Sequence, residues 1–420
     1  MRAAGAVPAP RGEGVPARLL ALVALALAMA LLAYRALHDL ELRGLPAGQA
    51  SWALVDFAEQ VYGPERSFLE GTNPYRGYPV PNSLAGYAPH TLLVHLPFGL
   101  AGYETAAVAY ATTVVLLTIA IAWLALRWGG GRATLATTAG LGALLLVSRP
   151  GQMNAMNGNV TAQIVVGAYA ALHWARRRPA LAAAGLALAL IKPTMGLPLA
   201  MLMLFGRGDR RAVVLGALGA GVLSAVVVAI ILPAAGGVGG LVESLGHGVE
   251  AFRRAKETNP VSGWMRIDAP AVLGKVAGRA LPVPVEIIVG AGILGAGVLG
   301  VRRFLAAGGS ADAPVVTALV CLTILVFAYQ QAYNALLLVQ PAVALARDRR
   351  ALGRRGGRLA VLGLLLFPFV NYASSYTVLE RLGTSGWRYA ALTSASGVAL
   401  VVAWAIVLAA AVRPVRAGKP

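Results

Sequence analysis

The sequence predicts an all-α polytopic membrane protein, and three observations carry that expectation. Of its 420 residues, 58% are hydrophobic and only 13% are charged, against roughly 45–50% and about 25% in soluble domains. The apolar residues fall into a dozen runs, and a crossing helix needs roughly 20 of them in succession. The basic residues lie between those runs in the alternating pattern that a bilayer imposes on a multi-pass chain. The net charge of +19 is scattered in short clusters, which leaves no long basic stripe for a nucleic acid to follow. The single cysteine, Cys321, excludes an intramolecular disulfide and a cysteine metal cluster.

Taken in order, spans are expected near 18–34, 105–126, 133–148, 160–175, 180–191, 195–205, 212–232, 284–301, 314–329, 334–346, 359–376 and 389–412. Several fall short of a full crossing, so the expected bundle has about 10–12 transmembrane helices, and 180–205 reads as two full spans or as one re-entrant excursion. The first run could mimic a signal peptide. It reads as a retained helix because the rest of the chain is membrane-embedded too. With the N-terminus placed in the cytoplasm, the inner segments collect Arg127, Arg132, Arg176–Arg178, Arg207, Arg210, Arg211, Arg302, Arg303, the 347–358 cluster and the C-terminal tail. They hold few acids (Glu13, Asp209, Asp312 and Asp348), so the basic excess reports topology.

That orientation gives a cytoplasmic arm 1–17, one membrane domain 18–412 and a cytoplasmic tail 413–420. The piece "PHTLLVHLPFGLAG" at 89–102 is short and proline-bearing, and counting it as a crossing would turn Arg127 and Arg132 outward. It is assigned to an amphipathic or re-entrant helix. The extracytoplasmic face then carries loops 38–104, 149–159 and 233–283, the first of them large and furnished with short juxtamembrane helices.

The candidate chemistry gathers in those loops and at two breaks in the apolar runs. Asp56 and Glu59 lie three apart and share a helical face. Trp52, Leu54, Val55 and Phe57 surround Asp56 in sequence, and partial burial would raise its pKa and make it a better base; an interfacial helix acid is the plainer alternative. In "GTNPYRGYP", Asn73-Pro and glycine supply turn chemistry, and Tyr75 and Tyr78 beside it suit either stacking on a sugar or anchoring at headgroups. "RPGQMNAMNGNVTAQ" clusters Arg149 with Gln152, Asn154, Asn157, Asn159 and Gln163. Carboxamides both donate and accept, which fits sugar hydroxyls as well as loop caps.

In "FAYQQAYNALLLVQPAVAL", Gln330, Gln331, Tyr333 and Asn334 interrupt a span, and such groups face a cavity or one another. Lys192-Pro193 breaks "AAAGLALALIKPTMGLPLAMLMLF". At the apex of an outward excursion the proline costs little, and the lysine either reaches into a cavity or snorkels to the interface. Arg266 and Arg388, each near a tryptophan, are further cations or interfacial anchors. No His-x-Glu or His-x-x-x-His pair occurs, so no metal site built by the protein is expected.

In order, "ALVDFAEQVY", "GTNPY", "YAPHTLLVHLPFGL", "GQMNAMNGN", "GLALALIKPTMGLPLAML" and the Tyr-rich break before "LLLVQPAVAL" resemble the GT-C membrane glycosyltransferases, family 87 in particular. The likeness covers roughly residues 18–350. It implies a GT-C-like helical bundle that moves a sugar, most often mannose, from a polyprenyl-phosphate donor to a glycan or glycolipid acceptor at the outer face of the cell membrane. The residue matching the family's acid is Asp56, which would act as general base with inversion.

In that scheme Lys192, or alternatively Arg266 or Arg388, would hold the donor phosphate. Glu59, Asn73, Tyr75, Gln152, Asn154, Asn157, Gln331, Tyr333 and Asn334 would contact the sugar or acceptor. No cofactor is required, and a divalent metal is compatible. The chain departs from the family where many members carry a histidine and an acid in the late polar break, since it has Gln331 and Asn334. "YAPH" also replaces the common "YPP". The Gln/Tyr form is closer to members that use decaprenyl-phosphate arabinofuranose. A lipid-linked-sugar flippase, with similar broken helices and a midplane cation, and a non-catalytic assembly protein are the rival classes.

Overall fold

The computed structural model describes residues 14–41, 54–76, 84–254, 259–349, 351–352, 355–383 and 386–413. Tyr78, most of the 1–17 arm and nearly all of the 413–420 tail lie outside them. The described residues are helical, with one antiparallel bridge between Arg266 and Gln331 and no strand.

Helix α1 (Val15–Glu41) leads into a helical arm formed by α2 (Val55–Phe57), a π turn at Ala58–Tyr62 and α3 (Gly63–Leu69). Next come α4 (Thr91–Gly99), α5 (Tyr103–Trp128), α6 (Leu135–Val147), α7 (Arg149–Asn157), α8 (Thr161–Trp174), α9 (Pro179–Ala189) and α10 (Pro193–Met201). A π turn at Leu202–Arg207 precedes α11 (Arg210–Ile231), α12 (Gly237–Arg254), α13 (Ala269–Ala277), α14 (Val283–Ala306) and α15 (Pro314–Phe327). A 3₁₀ stretch at Ala332–Leu338 leads into α16 (Val339–Arg347), and α17 (Arg355–Val370), α18 (Tyr376–Arg381) and α19 (Gly386–Val412) complete the chain.

Five of these helices are long and apolar enough to cross a membrane: Val15–Ala36, α5, α11, α14 and α19. They keep much apolar side-chain surface exposed, including Leu19, Val108, Leu218, Ile288 and Val402, as lipid-facing helices must. The shorter apolar segments behave differently. Every residue of α15 from 315 to 326 is buried, as is the whole 332–338 stretch. Two of the expected spans, 314–329 and 334–346, are therefore buried inside the bundle, packed against α14, α19 and α5.

Small residues allow the close packing. Gly167 of α8 and Gly185 of α9 face each other, and a Cβ on either would stand 2.6 Å from the other's carbonyl oxygen. Helix starts carry their own caps: Thr134 and Thr137 form a capping box on α6, and Ser148 accepts from the Gly151 amide at the start of α7.

The 89–102 piece does not cross. Its nine-residue helix α4 is wedged against the bundle, where His90 bonds Ser224 of α11 at 3.0 Å and the Ala187 carbonyl of α9 at 2.9 Å. The 180–205 run goes out and returns. Arg176, just before α9, bonds Asp209 at 3.2 Å and the Arg207 carbonyl at 3.0 Å. Lys192 is the extended residue between α9 and α10, and Pro193 occupies the first position of α10, where a missing amide costs nothing. The segments around 128, 173–178, 207–210 and 311 thus share one end of the bundle. Those around 56, 159, 192, 266 and 331 share the other.

Candidate active site

The second of these ends is built around Asp56. Leu54, immediately before α2, has left-handed backbone with φ 60° and donates its amide to the Met156 carbonyl at 2.6 Å. A branched side chain there costs about 1–2 kcal/mol, and the strain turns the chain into the arm so that Asp56 faces inward. From the other side the α7–α8 junction approaches through Gly158, with φ +68°. A Cβ on Gly158 would lie 2.7 Å from Phe57 Cβ. Both its positive φ and the closeness of the arm require glycine at this point.

The Asp56 carboxylate has a partner on each oxygen. Oδ1 accepts from Gln60 Nε2 at 3.1 Å, and Oδ2 accepts from Asn159 Nδ2 at 2.9 Å. Gln60 sits in the π turn, and its Oε1 accepts from the Tyr87 hydroxyl. Asn159 Oδ1 takes the Thr161 amide at 2.9 Å. The Thr161 hydroxyl lies 2.7 Å from Asn159 Oδ1 and 2.8 Å from Asn334 Oδ1, and its one proton serves one of them at a time. Burial pushes the Asp56 pKa up from 3.8 to about 6, against the lowering pulls of Asn159, the Lys192 charge and Asn157. A carboxylate of that kind is ionised at neutral pH yet basic enough to take a proton from a hydroxyl.

Lys192 joins the same network. It is 4% exposed, stands 3.4 Å from Asn334 Oδ1, and lies 5.1 Å from the centre of the Tyr333 ring. The break that presents it is pinned twice. The Ala88 amide donates to the Ile191 carbonyl at 2.9 Å, and Gln330 Nε2 donates to the Thr194 carbonyl at 2.8 Å. A second cation, Arg266, forks onto Asp268 with both contacts at 2.6 Å. Asp268 is fully buried, caps α13 and accepts the Gln330 amide at 3.0 Å. Beside it, Ile267 bonds Gln330 and Ala332 bonds Met265. The loop before α13 and the late polar break are therefore one rigid unit.

These groups line a cavity of about 860 Å³, within the range of ligand sites. Its polar lining comes from Asp56, Glu59, Gln60, Tyr87, Asn157, Lys192, Arg266, Glu286, Gln331 and Tyr333. The apolar lining comes from Val249 of α12, Val283, Ile287, Ala291 and Leu294 of α14, and Phe327, with Glu286 standing among the α14 residues. Val249 and Ile287 are also exposed on the surface of the bundle. The cavity can hold a polar group against the carboxylate while an attached apolar chain leaves along α14. Among the described residues, no group of three or more His, Cys, Asp or Glu is placed to hold a metal ion.

Of the residues singled out in the sequence, Asp56, Glu59, Asn157, Lys192, Arg266, Gln331 and Tyr333 line this cavity, and Asn334 stands directly behind Lys192. The others lie elsewhere. Asn73 bonds Ser244 and the Tyr75 amide, and Tyr75 is packed in the core. Gln152 is held by Arg35 of α1 at 2.5 Å, Asn154 is buried behind the wall, and Arg149 grips Ser374. Arg388 is exposed beside Trp387, away from the cavity. The support residues Gln60, Tyr87 and Thr161 were not singled out. Asn159-Val160-Thr161 carried a signal, since an Asn that accepts the amide two residues on marks a tight turn.

No curated protein and no solved structure gives a significant match to the chain. The profile of glycosyltransferase family 87 matches residues 86–341, more than half of the chain, including the α9–α10 break and the late polar break. A largely apolar cavity that holds a buried carboxylate and a lysine suits that assignment, and the chain belongs to glycosyltransferase family 87.

Proposed function

We propose that this membrane glycosyltransferase transfers mannose from a polyprenyl-phosphate donor to a glycan or glycolipid acceptor at the extracytoplasmic face of the cell membrane, inverting the anomeric centre. The observation that carries the reading is Asp56, held by Gln60 and Asn159 at a cavity whose lining is otherwise largely hydrocarbon. The donor's phosphate is its own leaving group and its prenyl chain is its anchor. The protein therefore has to supply a base, a cation and a shaped pocket.

In this mechanism Asp56 takes the proton of the acceptor hydroxyl as its oxygen attacks the anomeric carbon. The bond to the phosphate oxygen breaks on the opposite face, and polyprenyl phosphate leaves with the bonding pair. Lys192 faces the charge that develops on that phosphate, and Asn334 orients its ammonium. Arg266 lines the same cavity with its charge balanced by the fork to Asp268, so Lys192 is the cation that answers the phosphate. The prenyl chain lies along α14. Glu59, Asn157, Gln331 and Tyr333 line the space left for the sugar and acceptor. All of these steps use the chain's own side chains.

A second reading, with arabinofuranose as the sugar, is favoured by Gln331 and Tyr333. Both line the cavity, and this Gln/Tyr form resembles the arabinofuranose-using members of the family. Purified protein offered radiolabelled polyprenyl-phosphate mannose and arabinofuranose in parallel, with glycan acceptors, separates the two. Asp56→Ala should abolish transfer while the donor still binds. Transfer that survives this change removes Asp56 as the base, and absence of turnover with either donor removes the polyprenyl-phosphate reading.

A further inference from the structure

A second cavity, of about 460 Å³, lies at the end of the bundle away from Asp56. Its walls combine Leu204, Phe205 and Leu305 with Arg207, Arg210 and Arg302. The three arginines have different situations. Arg207 is buried and saturated: it bonds Asp209 at 2.7 Å, the Ala311 carbonyl at 3.1 Å and the Leu172 carbonyl at 2.8 Å. It is a structural strut that fixes the wall. Arg210 and Arg302 are exposed, and their side chains take part in no hydrogen bond or ion pair with another described residue.

Arg210 is the first residue of α11 and Arg302 lies in the last turns of α14, both of them candidate membrane spans. The two free cations therefore stand at the boundary of the apolar layer, while Phe205 and Leu305 continue the cavity toward the bundle surface. Asp209 is the N-cap residue of α11 but does not cap it, because Arg176 and Arg207 occupy its carboxylate.

We propose that this cavity binds one anionic phospholipid of the surrounding leaflet. The phosphate sits between Arg210 and Arg302, and the acyl chains lie along Leu204, Phe205 and Leu305. Two unpaired guanidinium groups beside apolar side chains match a phosphodiester attached to hydrocarbon. A zwitterionic lipid would bring its own ammonium group against the same arginines. The site is separate from the sugar-transfer cavity and does not depend on which donor that cavity takes.

The test presents the purified full-length protein in detergent with limiting phosphatidylglycerol or phosphatidylcholine and counts retained lipid by native mass spectrometry. The expected result is one retained phosphatidylglycerol, bound about tenfold or more weakly by the double variant Arg210→Gln/Arg302→Gln. The charge-preserving pair Arg210→Lys/Arg302→Lys should keep most of the binding. Arg303→Gln, which removes a neighbouring exposed arginine outside the cavity, should keep all of it. Equal retention of phosphatidylcholine, or an equal loss in Arg303→Gln, overturns the site in favour of general leaflet charge. Displacement by millimolar glycerol 3-phosphate overturns it in favour of a free phosphate ligand.

Discussion

Gly158→Ala tests whether the approach of the α7–α8 junction to the arm sets the position of Asp56. The added Cβ would lie 2.7 Å from Phe57 Cβ, 3.0 Å from Leu54 Cδ2 and 3.3 Å from the Phe57 amide nitrogen. Ordinary carbon–carbon contact is about 3.5–4.0 Å, so the arm or the junction must yield by roughly 1 Å. Phe57 cannot absorb this by rotating, because the clash is with its Cβ and its ring is stacked on Tyr110 at 4.8 Å. The residue that moves with it is Asp56. A displacement of about 1 Å at a reacting group can cost roughly 100-fold in rate.

Alanine at φ +68° adds a conformational cost of about 1–2 kcal/mol, and overpacking adds about 1–3 kcal/mol. Gly71 supplies the control, because it has the same φ and nothing within 4 Å of the added Cβ. Gly71→Ala carries the conformational cost alone. The assay is sugar transfer by the two variants, with thermal unfolding measured alongside. Gly158→Ala should lose about 100-fold in kcat while Gly71→Ala stays within a few-fold of the parent. If both variants keep parental kcat, the junction does not position the base and the account of Gly158 fails.

Three further outcomes follow from the same geometry. Transfer should rise with pH through about 6 as Asp56 ionises, because a base works only deprotonated. Removing the Asn159 hydrogen bond in Asn159→Ala takes away a pull that lowers the Asp56 pKa, so the acidic limb of the kcat/KM profile should move upward by about one pH unit. An unmoved limb would mean that another group titrates. Lys192→Met should weaken donor binding by about tenfold or more and leave the fold intact, as read by donor titration, since methionine fills the site without the charge. Unchanged donor affinity would mark Lys192 as a buried spacer. Asp268→Asn should destabilise the protein by about 3–5 kcal/mol, seen in chemical unfolding, because it strands Arg266 without its carboxylate. A loss below 1 kcal/mol would show that the fork adds nothing to the joint between α13 and the late polar break.

What could be read in the sequence was whatever one residue announces against its neighbours. Asp56 is an acid in apolar company and Lys192 a cation in an apolar run, and both line the cavity. The burial of 315–326 and 332–338 could not be read in this way, because lipid and protein interior make the same demand on composition. The carboxamides show a second limit. Gln152, Asn154 and Asn157 lie on α7 with Asn159 just beyond it, and their residue types say nothing about the direction each faces. Asn157 reaches the cavity and Asn159 reaches Asp56, whereas Gln152 is taken by an arginine of α1, 117 residues away in sequence.

Lys192-Pro193 joins the legible part to the hidden part. Proline placed the break, and the charge on either side of the excursion placed both of its ends together. What gives the lysine a use is the long-range part: the Gln330–Thr194 bond fixes the break against the late polar segment, and Asn334 stands between Lys192 and Thr161. Through Thr161 and Asn159 the cation and the carboxylate belong to one hydrogen-bonded frame. A change at Asn334 should therefore disturb both partners, because its one side-chain oxygen faces the Lys192 ammonium at 3.4 Å and the Thr161 hydroxyl at 2.8 Å.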